Sequence, residues 1–274
     1  MSRVFGDPPS RYLFVFGAPR SGTTMTAAYL ASATNVLDLG EYYAFHHALV
    51  ESPEIYRRMP TPYKQSYLSS VFDHALRFGR DIGASRSCEW VLDSTPWNLL
   101  ILDRLQEAIP DASCVLVLRD WRGVCESLER SFGQGYEWAG ESLADRAELW
   151  VRFYEKAAAI RWPCVVLNYD RLCSDPITVI AALNEEAMNL GLQGALDIAR
   201  LATSHANGQM ARPTVASLGE DGLPYMHPRV ALDAGKWATR IGDSPSVRAA
   251  VAQTHSLRSL FPNAFGASGV HALR

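Results

Sequence analysis

Residues 12–16 read Tyr-Leu-Phe-Val-Phe, and the eight that follow are Gly17-Ala18-Pro19-Arg20-Ser21-Gly22-Thr23-Thr24. The first five have the length and composition of a strand. Their continuous rather than alternating apolar character suits a parallel strand whose sheet is covered on both faces. The alanine-rich residues 23–33 read as a helix. A strand, a glycine turn and a helix in that order aim main-chain N–H groups at one point, and the helix N-terminus adds partial positive charge. The product is a cradle for a phosphate-like anion. Gly17 and Gly22 let the backbone bend and approach a ligand closely. Ser21, Thr23 and Thr24 offer hydroxyl donors, and Arg20 adds a full charge. A plain strand-to-helix turn would also carry two glycines, but an arginine and three hydroxyls in eight residues weigh against it.

Working outward, three more runs have strand character: residues 89–92 (EWVL), 114–118 (CVLVL) and 164–167 (CVVL). Helical patterns separate them, over 97–108 with Pro110 at its end, 122–131 and 142–160. The last places Leu143, Ala147, Trp150, Val151 and Tyr154 on one face. Asp175-Pro176 and Ser244-Pro245 have the N-cap and first-turn chemistry that opens a helix, the second ending near Leu260. Strands alternating with helices predict an α/β fold, a P-loop-like parallel sheet flanked by helices on both faces. Residues 41–86 read as a helical insertion between the first two strands. Residues 207–234 lack periodicity and read as a lid, a binding loop or a disordered connection. At about 150 residues per domain, 274 residues without a repeat or clear linker predict one domain over 1–274.

Composition narrows the function classes. Twenty-six basic and 29 acidic residues leave a net charge of −3, which argues against a broad basic face for duplex nucleic acid. No apolar run reaches the ~18 residues of a membrane span, and residues 12–18 are too short for one. The five cysteines (Cys88, Cys114, Cys125, Cys164 and Cys173) include no C-x-x-C pair, so neither a zinc knuckle nor a disulfide scaffold is expected. That pattern fits a reducing compartment, the cytoplasm.

The turn shares its glycine spacing with the nucleoside-triphosphatase loop G-x-x-x-x-G-K-[ST], but Thr23 stands where that loop has lysine. The cation has moved to Arg20, an arrangement suited to an anion and poorly suited to magnesium-triphosphate chemistry. A second anion site is expected where residues 114–118 end at Arg119-Asp120-Trp121-Arg122. Arg119 falls at the carboxyl end of a presumed central strand, the edge at which open α/β sheets bind ligands. Ser127 lies about two helical turns on, and an arginine fork with a hydroxyl suits a second phosphate. A salt bridge from Arg119 to Asp120 or Glu126 is the alternative.

GAPRSGTT followed by LRDWRGVCES resembles the sulfotransferase family that uses 3′-phosphoadenosine 5′-phosphosulfate (PAPS). The likeness is to the P-R-S-G-T-T type, such as protein-tyrosine and bacterial small-molecule sulfotransferases. The resemblance implies that Pro19, Arg20, Ser21, Gly22, Thr23 and Thr24 serve the 5′-phosphosulfate, and that Arg119 and Ser127 serve the 3′-phosphate. Asn168-Tyr169-Asp170-Arg171-Leu172 with Asp175-Pro176 is similar to the family's Y-E-x-L…D-P segment, with Asp170 for glutamate, and implies Tyr169 near the adenine. Gly235-Lys236-Trp237 resembles the family's G-K-W, whose basic residue reaches the 3′-phosphate. The implied activity is sulfuryl transfer to a hydroxylated small-molecule, natural-product or glycan acceptor, with PAP as product and no metal. The resemblance leaves the oligomeric state open, a homo-oligomer included.

Such a reaction needs charge stabilisation on the leaving side, the expected role of Arg20, and a base for the acceptor hydroxyl. Glu41 is the first candidate, because Gly40-Glu41 is placed like the G-E pair whose glutamate is the base in the P-R-S-G-T-T type. Asp93, closing the second strand run, is the second. His46 or His47 is a third; as neighbours on a helix they point about 100° apart, so at most one faces a site. Relatives carry a lysine where this chain has Ser94, so the assisting cation is missing or supplied elsewhere, with Lys236 a candidate. Tyr42, Tyr43, Phe45, Trp90 and Trp97 line an acceptor pocket or pack in the core. A kinase with a degenerate phosphate loop and an inactive nucleotide-binding module remain the alternatives.

Overall fold

The structure, a computed structural model, describes residues 10–49, 60–194 and 244–273. Its strands are β1 (Arg11–Phe16), β2 (Val36–Asp38), β3 (Trp90–Asp93), β4 (Ser113–Leu118), β5 (Cys164–Asn168) and β6 (Val270–Leu273). They form one sheet in the order β2-β3-β1-β4-β5-β6. The first five are parallel, and β6 joins β5 antiparallel. The helices are α1 (Thr23–Leu30), α2 (Ala44–Leu49), α3 (Thr61–Ser85), α4 (Leu102–Ala108), α5 (Trp121–Gly133), α6 (Leu143–Tyr154), α7 (Tyr169–Ser174), α8 (Pro176–Asn189), α9 (Pro245–Leu260) and α10 (Pro262–Phe265).

The unbroken apolar character of the central strands has a direct cause. Tyr12, Phe14 and Phe16 of β1 enter one apolar layer with Phe72 of α3, Val124 and Leu128 of α5, Trp150 of α6 and Val247 of α9. Leu13 and Val15 enter the opposite layer with Met25 and Leu30 of α1 and Val179 and Leu183 of α8. Both faces are covered, so neither set of alternate positions tolerates a polar residue. Each such side chain contributes about 1.5–3 kcal/mol on burial.

The expected α/β architecture is present, with differences in detail. Two edge strands, β2 and β6, carry no strand signal of their own: each is short, and β6 buries only its first residue. The helical insertion therefore follows β2, as α2 and α3. The helix expected over 97–108 opens as a 3-10 turn (Pro96–Ile101) before α4. α6, expected over 142–160, starts on a capping box between Ser142 and Asp145 and stops at Tyr154. There the Gln253 side chain of α9 donates to the Tyr154 carbonyl at 3.1 Å, satisfying one of the acceptors a helix end exposes. The loop read over 207–234, and with it Lys236 and Trp237, lies outside the described residues.

Strand order fixes where a ligand belongs. From β1 the chain turns to β2 and β3 on one side, then crosses to β4 on the other. The crevice between the carboxyl ends of β1 and β4 is thus the switch point at which open α/β sheets bind ligands.

α3 approaches β1 closely at Gly79, where the Tyr12 hydroxyl fills the space a Cβ would need. That hydroxyl donates to the carbonyls of Leu76 at 3.1 Å and Ala75 at 3.3 Å. Helix propensity alone favours Gly79→Ala by about 1 kcal/mol. Displacing a buried, bonded phenol costs more, so the variant should be destabilised by about 1–3 kcal/mol in urea unfolding. Adding Tyr12→Phe should recover part of the loss. A Gly79→Ala protein as stable as the parent would refute this packing.

Candidate active site

The loop after β1 is built on two residues with left-handed backbone, Arg20 (φ 70°) and Gly22 (φ 101°). Glycine adopts that region without cost; for arginine it stores about 1–2 kcal/mol, the kind of strain found at ligand-binding turns. The Ser21 N–H donates to the Ala18 carbonyl at 3.0 Å and closes the turn. Gly17 has no side chain because the Ser21 hydroxyl and the Val117 carbonyl of β4 occupy that space. α1 has no side-chain cap. Its first-turn N–H groups, from Thr23 onward, lack intrahelical acceptors and point out of the helix toward the loop. Pro19, Ser21 and Thr23 are buried, Gly22 and Thr24 half-buried, and Arg20 is exposed.

Arg119, at the end of β4, reaches into this turn. Its Nη1 donates to the Arg20 carbonyl at 2.8 Å. Its guanidinium stacks on the Tyr169 ring, 4.7 Å from the centroid, and that same ring lies where a Cβ on Gly22 would go. The Arg119 Nε is buried and has no hydrogen-bond partner. The Trp150 indole holds the Arg119 carbonyl at 3.0 Å. Asp120 is engaged by Arg122 at 2.7 Å and caps α5 by accepting from the Arg122 N–H, so it is not the partner of Arg119. Ser127, buried on α5, accepts from the Arg20 Nε at 3.1 Å.

The two sequence segments thus meet at one place. Contacts chain them together: Arg20 with Arg119 and Ser127, Arg119 with Tyr169, and Tyr169 with the space beside Gly22; Arg130, one turn beyond Ser127, also acts on Arg20. Although the Arg20 side chain is exposed overall, the surrounding walls desolvate its guanidinium. With repulsion from Arg130 and Arg119 this lowers its pKa, while Tyr136 and Glu41 act in the opposite direction. Gathered guanidinium groups with an unpartnered buried Nε, beside a helix N-terminus, fit a ligand carrying more than one phosphate-like group.

The remaining strand ends supply the carboxylates. Glu41 follows β2, is exposed, and accepts from the Tyr43 hydroxyl at 3.1 Å. Burial and Glu41 together push the Tyr43 phenol up to about 12. Asp93, at the end of β3, is fully buried. One of its oxygens accepts from the N–H groups of Thr95 (2.8 Å) and Tyr42 (3.3 Å), the other from the Asn98 amide (2.8 Å). Burial pushes its pKa up to about 7 against those hydrogen bonds. Ser94, in the place of the family lysine, is buried, and its N–H donates to the Gly40 carbonyl at 2.9 Å. His46 is half-buried against Trp97, and His47 is exposed. Among the described residues, no group of three or more His, Cys, Asp or Glu could hold a metal ion, and no helix is long and apolar enough to cross a membrane.

The aromatic residues divide. Phe45 is wholly buried in the layer with Tyr12 and Phe14, and Trp90 is wholly buried in the opposite layer beneath Arg11. Both are core. Tyr43 and Trp97 stay at the carboxyl edge, and Trp97 meets Trp138 edge-on at 5.9 Å.

Against known proteins, residues 13–187 match the model described as "Sulfotransferase family". The chain belongs to the sulfotransferase family. A sulfotransferase domain from the curacin biosynthetic pathway superposes with a TM-score of 0.55 at 15% identity, covering 91% of this chain and 99% of that one. The sulfotransferase domain of the Synechococcus PCC 7002 olefin synthase gives 0.49 at 15% identity, over 76% and 81%. Sulfotransferase STF9 from Mycobacterium avium gives 0.47 at 15% identity, over 78% and 71%. No curated protein matches the sequence. The curacin-pathway likeness is one of fold, and it shows the sulfotransferase architecture of a mostly parallel sheet with helices.

Three side chains at this sulfotransferase-family site escaped the sequence reading. Arg130 was signalled by its spacing, three residues after Ser127 on the same helix. Tyr136 and Trp138 were signalled by their setting, two large aromatics between Gly135 and Gly140 in a stretch without apolar periodicity.

The raised pKa of Asp93 has a thermodynamic consequence. Its folded value, about 7, lies above the ordinary 3.8, so the folded state holds this proton more tightly than the unfolded chain. The stability it contributes is complete below about pH 4 and is lost as pH rises toward about 7. Asp93→Asn cannot ionise, and its amide can donate to the Asn98 Oδ1, a buried acceptor without a partner. Urea unfolding should show the parent losing on the order of 2–3 kcal/mol between pH 5 and pH 8 relative to the variant. Equal pH slopes in the two proteins would contradict an ionisable Asp93 in this environment.

Proposed function

We propose that this chain transfers the sulfuryl group of PAPS to a hydroxyl of a small-molecule, natural-product or glycan acceptor. The observation that carries the reading is the convergence of Arg20, Arg119 and Ser127 at the β1/β4 switch point of a sulfotransferase-family sheet. Pro19 to Thr24 would hold the 5′-phosphosulfate on main-chain N–H groups and hydroxyls. Arg119 and Ser127 would hold the 3′-phosphate, and Tyr169 would flank the adenine. Lys236 and Trp237 are assigned to the nucleotide on sequence alone.

When bound, PAPS supplies a sulfur–oxygen bond that breaks as the acceptor oxygen bonds to sulfur, with PAP leaving with the electron pair. Arg20 stabilises charge growing on that leaving side. Burial and the neighbouring guanidiniums lower its pKa, and an arginine side chain stays cationic in proteins. Glu41 takes the acceptor proton. It is preferred to Asp93 because it is exposed on the ligand edge, whereas both Asp93 oxygens are committed inside the protein. Asp93 instead positions the base, since its bond to the Tyr42 N–H fixes the residue next to Glu41. Thr23 in place of the phosphate-loop lysine disfavours the kinase reading. All five cysteines are free thiols, which suits the cytoplasm.

PAP should raise the melting temperature of the protein, and magnesium-ATP should do so far less. Arg119→Ala should weaken PAP binding by about 10–100-fold, the worth of a lost charge-assisted contact. Glu41→Gln should leave PAP affinity intact and lower kcat by about 10²–10⁴. Arg20→Ala should lower turnover by at least about 10² with the fold retained. Stabilisation by magnesium-ATP in preference to PAP, or full turnover in Arg20→Ala, would sink the assignment.

A further inference from the structure

The peptide unit that joins Arg119 to Asp120 is gripped at both ends. Its carbonyl, on Arg119, accepts from the Trp150 indole of α6 at 3.0 Å. Its N–H, on Asp120, donates to the Asp170 carboxylate at the start of α7 at 2.7 Å. The two side chains lie 31 and 50 residues along the chain, on different elements, and meet on one planar group. We propose that Trp150 and Asp170 are positioning residues: by gripping this peptide they aim the Arg119 guanidinium at the 3′-phosphate. The inference rests on the PAPS reading above.

The place of this peptide in the chain explains why a clamp is needed. β4 ends at Leu118, which pairs with Asn168 as the last rung of the ladder to β5. α5 begins at Trp121, with Asp120 as its cap. The Arg119–Asp120 peptide therefore lies past the paired strand and before the first turn of the helix. A peptide there is free to rotate about its own axis through ψ of the first residue and φ of the second, and the side chain at its start swings with it. A hydrogen bond at each end stops that rotation in both senses and satisfies both polar groups.

Both jaws are themselves held. Trp150 is 2% exposed, and its ring lies 4.8 Å from that of Tyr154, one turn on. The Tyr154 hydroxyl donates to the Val117 carbonyl at 2.6 Å, so α6 grips the end of β4 at alternate residues. The Val117 carbonyl in turn packs against Gly17, where the turn after β1 begins. On the other side, Asn168 caps α7 by accepting from the N–H groups of Asp170 (3.0 Å) and Arg171 (3.1 Å). α7 also meets the far end of Arg119, through the Tyr169 ring under the guanidinium. The buried, unpartnered Arg119 Nε is the donor that this aim leaves for a ligand. By charge alone a carboxylate beside an anion site opposes the ligand, so the worth of Asp170 lies in the N–H it accepts.

Calorimetric titration of PAP into Trp150→Phe, Asp170→Ala and Asp170→Asn tests the clamp, each variant made in the parent and in Arg119→Ala, with urea unfolding run alongside. Trp150→Phe keeps a ring and loses the N–H. It and Asp170→Ala should each weaken PAP binding about 3–10-fold in the parent, and less than about twofold where the Arg119 side chain is already gone. Asp170→Asn, whose amide oxygen can accept the same bond, should recover the parent affinity. Asp170 is exposed, so its variants carry the test should Trp150→Phe fail to fold. A merely structural role would lower stability and give equal losses of affinity in both backgrounds. That result, a parent-like Kd in Trp150→Phe and Asp170→Ala, or an Asp170→Asn as weak as Asp170→Ala would overturn the clamp while PAP binding by the parent left the donor reading standing. A parent that does not bind PAP would instead remove the donor reading, and the clamp with it.

Discussion

The guanidinium of Arg119 bonded to the main-chain carbonyl of Arg20 is the contact on which the site depends. It joins the turn after β1 to the end of β4, neighbours in the sheet but 99 residues apart in sequence. Without it the turn would be held by its own Ser21–Ala18 bond, the Arg20–Ser127 bond and packing under α1, while carrying a non-glycine residue at positive φ. The same guanidinium is fixed from beneath by the Tyr169 ring, and its carbonyl is fixed by the Trp150 indole. A side chain held on several sides cannot relax away from a neighbouring arginine. The like charges of Arg20 and Arg119 are therefore kept together, and the arrangement gains most when an anion lies beside them.

A second constraint acts on the opposite side of the switch point. Asp93 is buried to organise backbone: the N–H groups of Thr95 and Tyr42 and the Asn98 amide all converge on it. A buried carboxylate is costly unless its oxygens are bonded, and these bonds partly offset the desolvation that raises its pKa. The structural return is that the segment after β2, with Gly40 and Glu41, is tied to the end of β3 both through Asp93 and through the Ser94–Gly40 bond. The exposed carboxylate owes its position to the buried one.

Most of the fold was legible because the central strands are buried on both faces, and burial writes itself into a sequence as unbroken apolar runs. β2 and β6 were not, because three- and four-residue edge strands bury too little to leave a pattern. The turn after β1 and Arg119 were legible as occupants of the carboxyl edge for a related reason: glycines, hydroxyls and an arginine at a strand end have few other uses. The convergence of Arg20 with Ser127 was not, since the sequence assigned them to separate phosphates and only the β1/β4 adjacency brings them within 3.1 Å. Aromatic residues were the least legible. Trp90 and Trp97 look alike in sequence, yet strand alternation sends the first into the core layer of α1, while a 3-10 turn carries the second to the ligand edge.

The carboxyl edge of the sheet is built by two different means. The turn after β1 and Arg119 sit at strand ends and helix starts, whose positions the sheet hydrogen bonds and two apolar layers determine. The connection between α5 and α6, which carries Tyr136 and Trp138, is held by its own turn hydrogen bonds, by the buried Ala139 and by the buried Arg146. Arg146 holds two carbonyls of that connection and approaches Glu129 at 3.5 Å. A buried guanidinium is a poor source of net stability, but it is directional in a way an apolar side chain is not, and it fixes the path of a loop that leaves Tyr136 and Trp138 exposed. Tyr136 and Trp138 lie outside the sheet and outside both apolar layers, so changes there would leave the sheet and the turn after β1 untouched.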